Sequence, residues 1–429
     1  MSKKRLVSLT LCFILIFSLC LPCFADTVKA DDVRAQITDN TATLIAVSKY
    51  GDTVRYPENS SAGVSAAAES GADMVLIKVK KTADGVLVLF ADDNLSRMCV
   101  DAEGNPVNRN IAETSYDELS QYRLRVSHGG SGQTVTAYTV STLADTVKEL
   151  DGDALLLIDG WEYRDEIAEA LNDTARQRVI LIADGDKREL INNWLNKDRT
   201  PSVFSRYKGN IIWSCLSYIN KTSSKGAQGV ILASSNPYAT TFSASVVSKA
   251  QSKLRAAIDM TDPKLCGKRD DTSIYWDDVT SRGFSVIITD DIAGLSLYKQ
   301  RVEASRQRLA ALTEKAESFD YTSMSTFNAN KLKSALNRAE KAQATSVSAM
   351  ALDNCYTELS QLMEEYSDEG ARTHGVLTVS AGRIIAAIAV TAAFIFFELL
   401  IERVKNRRIV LRRKGIDKKG RYRLKDKDR

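Results

Sequence analysis

Eight short apolar runs, rich in β-branched residues, recur between residues 40 and 300 of this 429-residue chain. They are TLIAVS (43–48), MVLIKV (74–79), ALLLID (154–159), RVILIA (178–183), NIIWSC (210–215), GVILAS (229–234), LRAAID (254–259) and SVIITD (285–290), with helix-like segments between them. Apolar strands alternating with helices argue for a parallel sheet covered on both faces. Eight such units in this length predict an α/β fold, a (β/α)₈ TIM-type barrel over residues 40–300, with its functional face at the C-terminal ends of the strands. A doubly wound open sheet is the competing architecture. GVLVLF (85–90) follows a Thr82-Ala83-Asp84-Gly85 turn and reads as a hairpin excursion.

Residues 301–367 change character. Gly is absent between Gly294 and Gly370, and apolar residues recur at spacings of three and four, as in Leu332, Ala335, Leu336, Ala339 and in Val347, Ala351, Cys355, Leu359, Leu362, Tyr366. This pattern predicts a small three-helix bundle, followed by a polar linker at 368–378. The stretch YTSMSTFNANKLKSALNRAEKA resembles the FIVAR-type modules of bacterial surface proteins. A plain helical spacer is the other reading.

The two ends carry the basic charge. Lys3, Lys4 and Arg5 precede an apolar run ending at PCFAD, with Ala25 and Cys23 at the −1 and −3 positions of a small-residue cleavage site, so residues 1–25 read as a signal peptide. Near the other end Ile384–Ile401 carries one charge, Glu398, which reads as an interfacial carboxylate. Extended upstream, this run gives an expected transmembrane helix at 379–401. The tail from Glu402 to Arg429 holds fourteen Lys/Arg against four acids, which places it in the cytoplasm. The chain is thus expected to be a single-pass type I protein of the cell membrane, with the barrel outside. Taking +3 and +10 for the ends from the total of +4 leaves −9 for residues 26–401, so the charge gives no sign of a nucleic-acid partner. Four of seven cysteines (Cys99, Cys215, Cys266, Cys355) lie beyond the cleavage site and show no CxxC spacing. They read as free, or at most one pair. The only histidines, His128 and His374, are too few for a His-based zinc site.

One stretch, GADMVLIKVKKTADGVLVLFADDNLSR (71–97), carries the functional question. It resembles the glycerophosphodiester phosphodiesterase segment usually written Gly-Ala-Asp-x-Ile-Glu-x-Asp-Val, Thr-x-Asp-Gly, Val-x-His-Asp, Leu-x-Arg. VSKYGDTVRYPENS resembles that family's opening His-Arg-Gly and Pro-Glu-Asn-Thr/Ser. YDEL, VSTLADTV and WDDVTSRGFSVIITDD resemble its later stations, in the same order. The resemblance implies a phospholipase C-like barrel in which carboxylates hold a divalent metal and two histidines perform acid–base work on the phosphodiester. A metal neutralises the anionic diester and a proton donor serves the leaving alkoxide.

Residue by residue, that chemistry is missing. Lys49 and Tyr50 stand where the resemblance puts the first histidine and its arginine. Leu76 and Lys78 replace the second-strand Glu and Asp, and Ala91 replaces the second histidine, leaving Asp92 behind it. Asp159 and Trp161 stand where the third strand has its Glu and Lys. Strand period turns Leu76 and Lys78 into the barrel and Val75, Ile77 and Val79 toward the helices. No catalytic set is intact, and no metal or cofactor is expected. Lys49, Glu58, Lys78, Asp92 and Asp159 remain as the candidate pocket. Lys78 either pairs with Asp159, neutralising the old metal site, or joins Lys49 to attract an anionic ligand. His128, in RVSHGGSGQTV, lies on a Gly-rich loop that could reach the mouth but reads as an exposed loop histidine. The resulting expectation is a membrane-anchored, extracellular pseudoenzyme of this kind, acting as a scaffold for a small anionic ligand or a surface partner. The alternatives are a phosphoric diester hydrolase of lipid or glycerophosphodiester metabolism with a rebuilt, metal-independent site, and a pure spacer.

Overall fold

The computed structural model describes residues 30–371, apart from 40–41, 151–153, 186–187, 197–200, 320 and 322–323. The chain divides at Glu365 into two units. The first carries the barrel; of the second, only the last turns of a helix ending at Ala371 are described. The expected signal peptide (1–25), transmembrane helix (379–401) and basic tail (402–429) lie outside the described residues, as does the linker beyond Ala371. Within the described residues, no helix is long and apolar enough to cross a membrane.

The eight barrel strands are β1 Ile45–Lys49, β2 Met74–Lys81, β3 Leu155–Asp159, β4 Val179–Asp184, β5 Ser202–Lys208, β6 Gly229–Ala233, β7 Arg255–Asp259 and β8 Val286–Thr289. Each pairs in parallel with its neighbour in chain order, and β1 pairs with both β8 and β2, which closes the barrel. Seven of the eight apolar runs are these strands. The exception is NIIWSC: Ile212–Ser223 is a helix, and β5 is the SVFSRYK segment before it. The run misleads because its large residues are not core: Ile211 and Trp213 are exposed.

Period two sorts the side chains. Ile45, Val47, Met74, Leu76, Leu155, Leu157, Ile180, Ile182 and Phe204 share one inner cluster with residues of β6, β7 and β8. A helix not foreseen from sequence, Ala30–Asp39, adds Val33 and Ile37 to that cluster. It lies against the N-terminal ends of the strands: Arg34 donates to Ser202 Oγ at 2.9 Å, and the fully buried Arg255 donates to the Gln36 carbonyl. The opposite end of the barrel is therefore the open one.

The excursion follows the sequence reading. β2 continues antiparallel against Leu87–Leu89, with Val79 opposite Leu89. Thr82 Oγ1 donates to Asp84 Oδ1 at 2.6 Å and accepts from Val86 N at 2.9 Å, while Gly85 takes φ +86° at the corner. Beyond it, Val88, Phe90, Leu95, Met98, Ile111 and Leu124 belong to a second small core that carries the loop to His128.

After β8 the chain enters a helix of 26 residues, Ile292–Glu317. It starts ahead of the boundary expected at 301, because nothing after Gly294 breaks it; the eighth barrel helix and the first helix beyond the barrel are one rod. Two further helices follow, Thr326–Thr345 and Ala349–Ala371, the latter running past the expected linker start at 368. Leu332, Ala335, Leu336 and Ala339 are buried, as their spacing predicts. Arg306, on the long helix, donates to the carbonyls of Ala42 (2.6 Å) and Ser346 (2.9 Å), so one guanidinium serves the barrel and the later helices. All four described cysteines are free, three of them buried; burial pushes the Cys99 thiol up to about 12.

One retained motif residue has a structural duty. Asp73, of the Gly-Ala-Asp segment, is almost fully buried, accepts the Ala46 N–H at 2.7 Å and receives Lys299 on both oxygens at 2.6 and 2.7 Å. It clamps β1 and β2 to the long helix. Removing one partner of such a pair strands the other charge in low dielectric. Lys299→Ala is therefore expected to destabilise the barrel by roughly 3 kcal/mol or more in urea unfolding. Asp73→Asn/Lys299→Ala together should cost less than the sum of the single losses, and additive losses would contradict the clamp.

Candidate functional site

The C-terminal ends of the strands place the next inward layer above the apolar core. Lys49, Lys78, Asp159, Asp184, Arg206 and Asp259 follow the inward residues Val47, Leu76, Leu157, Ile182, Phe204 and Ala257 by two positions each. Lys78 and Asp159 are register partners, as are Asp184 and Arg206. The strand reading thus holds for Leu76, which is buried in the barrel core, and for Lys78 in the layer above it.

The charges are not paired as the sequence suggested. Asp159 is taken by Arg206, whose Nη2 donates to Asp159 Oδ2 at 2.9 Å while Nη1 donates to Asp184 Oδ1 at 3.2 Å. Burial works against the Arg206 charge, but Asp159 and Asp184 outweigh it and hold the guanidinium above its ordinary value. Lys49 turns to Asp259 Oδ2 (3.3 Å) and Thr261 Oγ1 (2.5 Å). Lys78 makes no ion pair among the described residues; the expected Lys78–Asp159 pair is replaced by Arg206–Asp159. The physical reason is reach and valence. A guanidinium offers a planar fork that serves two carboxylates at once, whereas an ammonium is a single point of charge.

Tyr50 sits on the core at the floor of this layer, with φ +62° and its ring 5.6 Å from Lys49 Nζ. Burial first, then the nearby charges of Asp159, Glu58 and Asp259, push its hydroxyl well above the ordinary phenol range. Gly51 follows at φ +92°, and a Cβ there would meet the Gly63 backbone at 2.6 Å. This explains why the glycine of the opening motif remains although its neighbours have changed. Asn59 has a similar frame duty. Its Oδ1 accepts the Lys78 N–H at 2.9 Å, and its own N–H donates to the Tyr50 carbonyl at 2.8 Å. The helix after Pro57-Glu58-Asn59 is capped by Ser60, whose Oγ accepts the Gly63 N–H at 3.1 Å.

A second cluster forms at the rim. Glu58, nearly buried, accepts from Arg97 Nη2 at 2.5 Å on one oxygen and meets His128 Nδ1 at 2.8 Å on the other. Arg97 also donates to Asp92 at 2.5 Å and to the His128 carbonyl. Burial opposes the charge on Glu58, but hydrogen bonds from His128 and Arg97 outweigh it and hold its carboxyl below the usual range. The bond to Glu58 in turn raises His128 above an ordinary histidine, against burial. His128 is therefore no bland loop residue: the Gly-rich loop delivers it to the rim. Ala91 presents no polar group next to Asp92. Trp161 is buried against Trp194, with ring centroids 6.0 Å apart. Of the residues singled out from sequence, Glu58 and Asp92 meet through Arg97, while Lys49 and Asp159 belong to separate pairs. Arg206, Asp184 and Asp259 were not foreseen. The last two stand at strand ends that sequence did mark, whereas Arg206 lay in the strand that was misplaced.

The frame is that of a closed parallel TIM-type barrel with its mouth at the strand C-termini. Residues 51–205 match the family model of the glycerophosphoryl diester phosphodiesterase family. Among solved structures, a glycerophosphoryl diester phosphodiesterase from Parabacteroides distasonis is similar at 17% identity and TM-score 0.46, over 63% of this chain and 91% of that one. An Oleispira antarctica phosphodiesterase, in complex with the product sn-glycerol-3-phosphate, is similar at 16% identity and TM-score 0.44, over 59% and 96%. No curated protein matches the chain.

The residues present do not fit the divalent metal that the family resemblance implies. Calcium and magnesium require about six or more oxygen ligands. Here Leu76 offers hydrocarbon, Lys78 a cation, and Asp159 and Asp184 already share Arg206. Among the described residues, no three His, Cys, Asp or Glu side chains are grouped to hold a metal.

Two outcomes follow. Arg206→Ala would leave Asp159 and Asp184 facing each other, and is expected to lower stability by about 2 kcal/mol or more. Arg206→Lys should recover only part of the loss, and full recovery would show that the fork is unimportant. The His128–Glu58 contact makes stability pH-dependent. Because the folded value of His128 is raised, its contribution is complete below the ordinary histidine pKa of about 6.5 and is lost as pH rises through the folded value. The stability difference between wild type and His128→Asn should therefore shrink as pH rises above the ordinary histidine pKa of about 6.5. A difference independent of pH would contradict the contact.

Proposed function

We propose that this protein is a non-catalytic member of the phosphodiesterase barrel class, tethered to a membrane, that acts outside the cell as a binding scaffold. The observation that carries the reading is Arg206, which holds Asp159 and Asp184 where a metal-dependent hydrolase needs free carboxylates. The tether and outward orientation are supported by the apolar run before the basic tail and by the N-terminal leader pattern. On this reading the three helices after the barrel form a small bundle. A likeness of that bundle to FIVAR modules remains part of the proposal.

One observation favours a second reading, a hydrolase with a rebuilt site. An imidazole whose Nδ1 is held by a buried carboxylate is the arrangement of a general base. The non-catalytic reading is preferred because Arg206, Lys49 and Arg97 are each committed to carboxylates, which leaves Lys78, a single ammonium, as the one mouth cation among the described residues outside these pairs.

A single assay separates the two. The purified chain, with calcium or with chelator, is expected to release no alcohol from glycerophosphocholine or glycerophosphoethanolamine above a boiled control. Losing members of a cooperating catalytic set typically costs orders of magnitude in rate. Turnover abolished by Asp159→Ala would restore a metal-type hydrolase, and turnover abolished by His128→Ala would establish the rebuilt one.

A further inference from the structure

The mouth's ion pairs leave one carboxylate over. Asp159 and Asp184 are held by Arg206, Asp259 by Lys49, and Glu58 and Asp92 by Arg97. Asp290, in the turn directly beyond β8, is different. Its backbone is pinned: the Asp290 N–H and the Thr289 hydroxyl both donate to Asp271 Oδ2 at 2.8 Å. Asp271 takes a third donor, Trp276 Nε1, on its other oxygen at 2.8 Å. The Asp290 carboxylate joins none of this. Its Oδ1 is buried and accepts no hydrogen bond among the described residues. The charged groups acting on it are His128, Lys49, Asp271 and Asp259, which places it at the mouth. A buried acceptor left unmade costs on the order of 1–3 kcal/mol, so such atoms in folded proteins ask for a donor.

The cation left over is Lys78, on β2. β2 and β8 flank β1, and Asp290 follows Thr289, the partner of Ser48, so it is level with Lys49 and Leu76; Lys78 stands two strand spacings away and two residues higher, about 12 Å by ordinary sheet geometry. One free ammonium and one free carboxylate sum to zero. A net charge on a ligand gains at one and loses at the other, whereas a hydroxyl can donate to Asp290 and accept from Lys78.

We propose that the mouth binds a neutral polyol or sugar, with one hydroxyl donating to Asp290 Oδ1 and another accepting from Lys78, rather than a phosphodiester. This rests on the non-catalytic reading of the same mouth, which it deepens by naming the ligand class. Asp290 acts as the specificity-determining acceptor, because a ligand lacking the donor leaves its oxygen unpaired.

The test uses the full chain and saturation-transfer NMR with glucose, xylitol and glycerol, and with sn-glycerol 3-phosphate and glycine as charged and zwitterionic counter-probes. At least one neutral polyol is expected to bind saturably. Asp290→Ala should weaken that binding about tenfold or more, the equivalent of one hydrogen bond to a charged group. Asp290→Asn, which keeps the shape and an acceptor oxygen, should weaken it less. The thermal midpoint of Asp290→Ala should not fall, since the wild-type oxygen has no partner to lose. Three results overturn the proposal: no neutral polyol saturates, polyol binding is unchanged in Asp290→Ala, or only glycerol phosphate or glycine binds. If glycerophosphocholine is hydrolysed, the non-catalytic reading fails. If it is not and no polyol binds, this inference alone fails.

Discussion

Arg206 is the interaction on which the rest of the mouth depends. A guanidinium in the low-dielectric end of a barrel is costly unless its donors meet acceptors. Asp184 meets that requirement from β4, the strand beside it, and Asp159 from β3, one strand further on. Once they do, neither is available to Lys78 or to a cation from solution. Lys49 then falls to Asp259 on β7, one strand beyond its neighbour β8. A positive charge still stands among the carboxylates, but it is a side chain, fixed in place and unable to exchange.

Around this centre the frame explains which motif residues persist. Asp73 locks two strands to the long helix through Lys299. Asn59 holds the β2 backbone at Lys78, and Gly51 permits a backbone approach that no side chain would allow. Asp84 and Thr82 build the turn of the excursion, and Asp84 accepts the Tyr116 N–H at 3.0 Å as well. Each is needed to shape the barrel whether or not a reaction occurs there. The residues that differ from the family pattern include Lys49 and Lys78 in the charged layer of the mouth, and Tyr50 and Leu76 on and in the core beneath it.

The barrel was legible because buried parallel strands read as continuous apolar runs, and the register at Leu76 and Lys78 followed from period two alone. The strand β5 was not legible. SVFSRYK carries Arg206 and Lys208 at its inward positions, so its apolar signal is diluted where the site needs charge, while the neighbouring Ile211 and Trp213 mimic a core run from the surface. Misplacing that strand hid Arg206, and with it the partner of Asp159. The contact between His128 and Glu58 joins residues 70 positions apart through a loop, and no local pattern encodes it. The helix Ala30–Asp39 escaped notice because only Val33 and Ile37 mark its buried face.

The central claim is that a side-chain cation has taken the place of a metal at the mouth, and calorimetric unfolding with and without calcium tests it most directly. Ligands that bind the native state raise its midpoint in proportion to the logarithm of their concentration. The account expects the same unfolding midpoint in chelator and in excess calcium. A midpoint that climbs steadily with calcium concentration, and ceases to climb in Asp159→Ala, would show that the carboxylates bind metal in spite of Arg206 and would contradict the account.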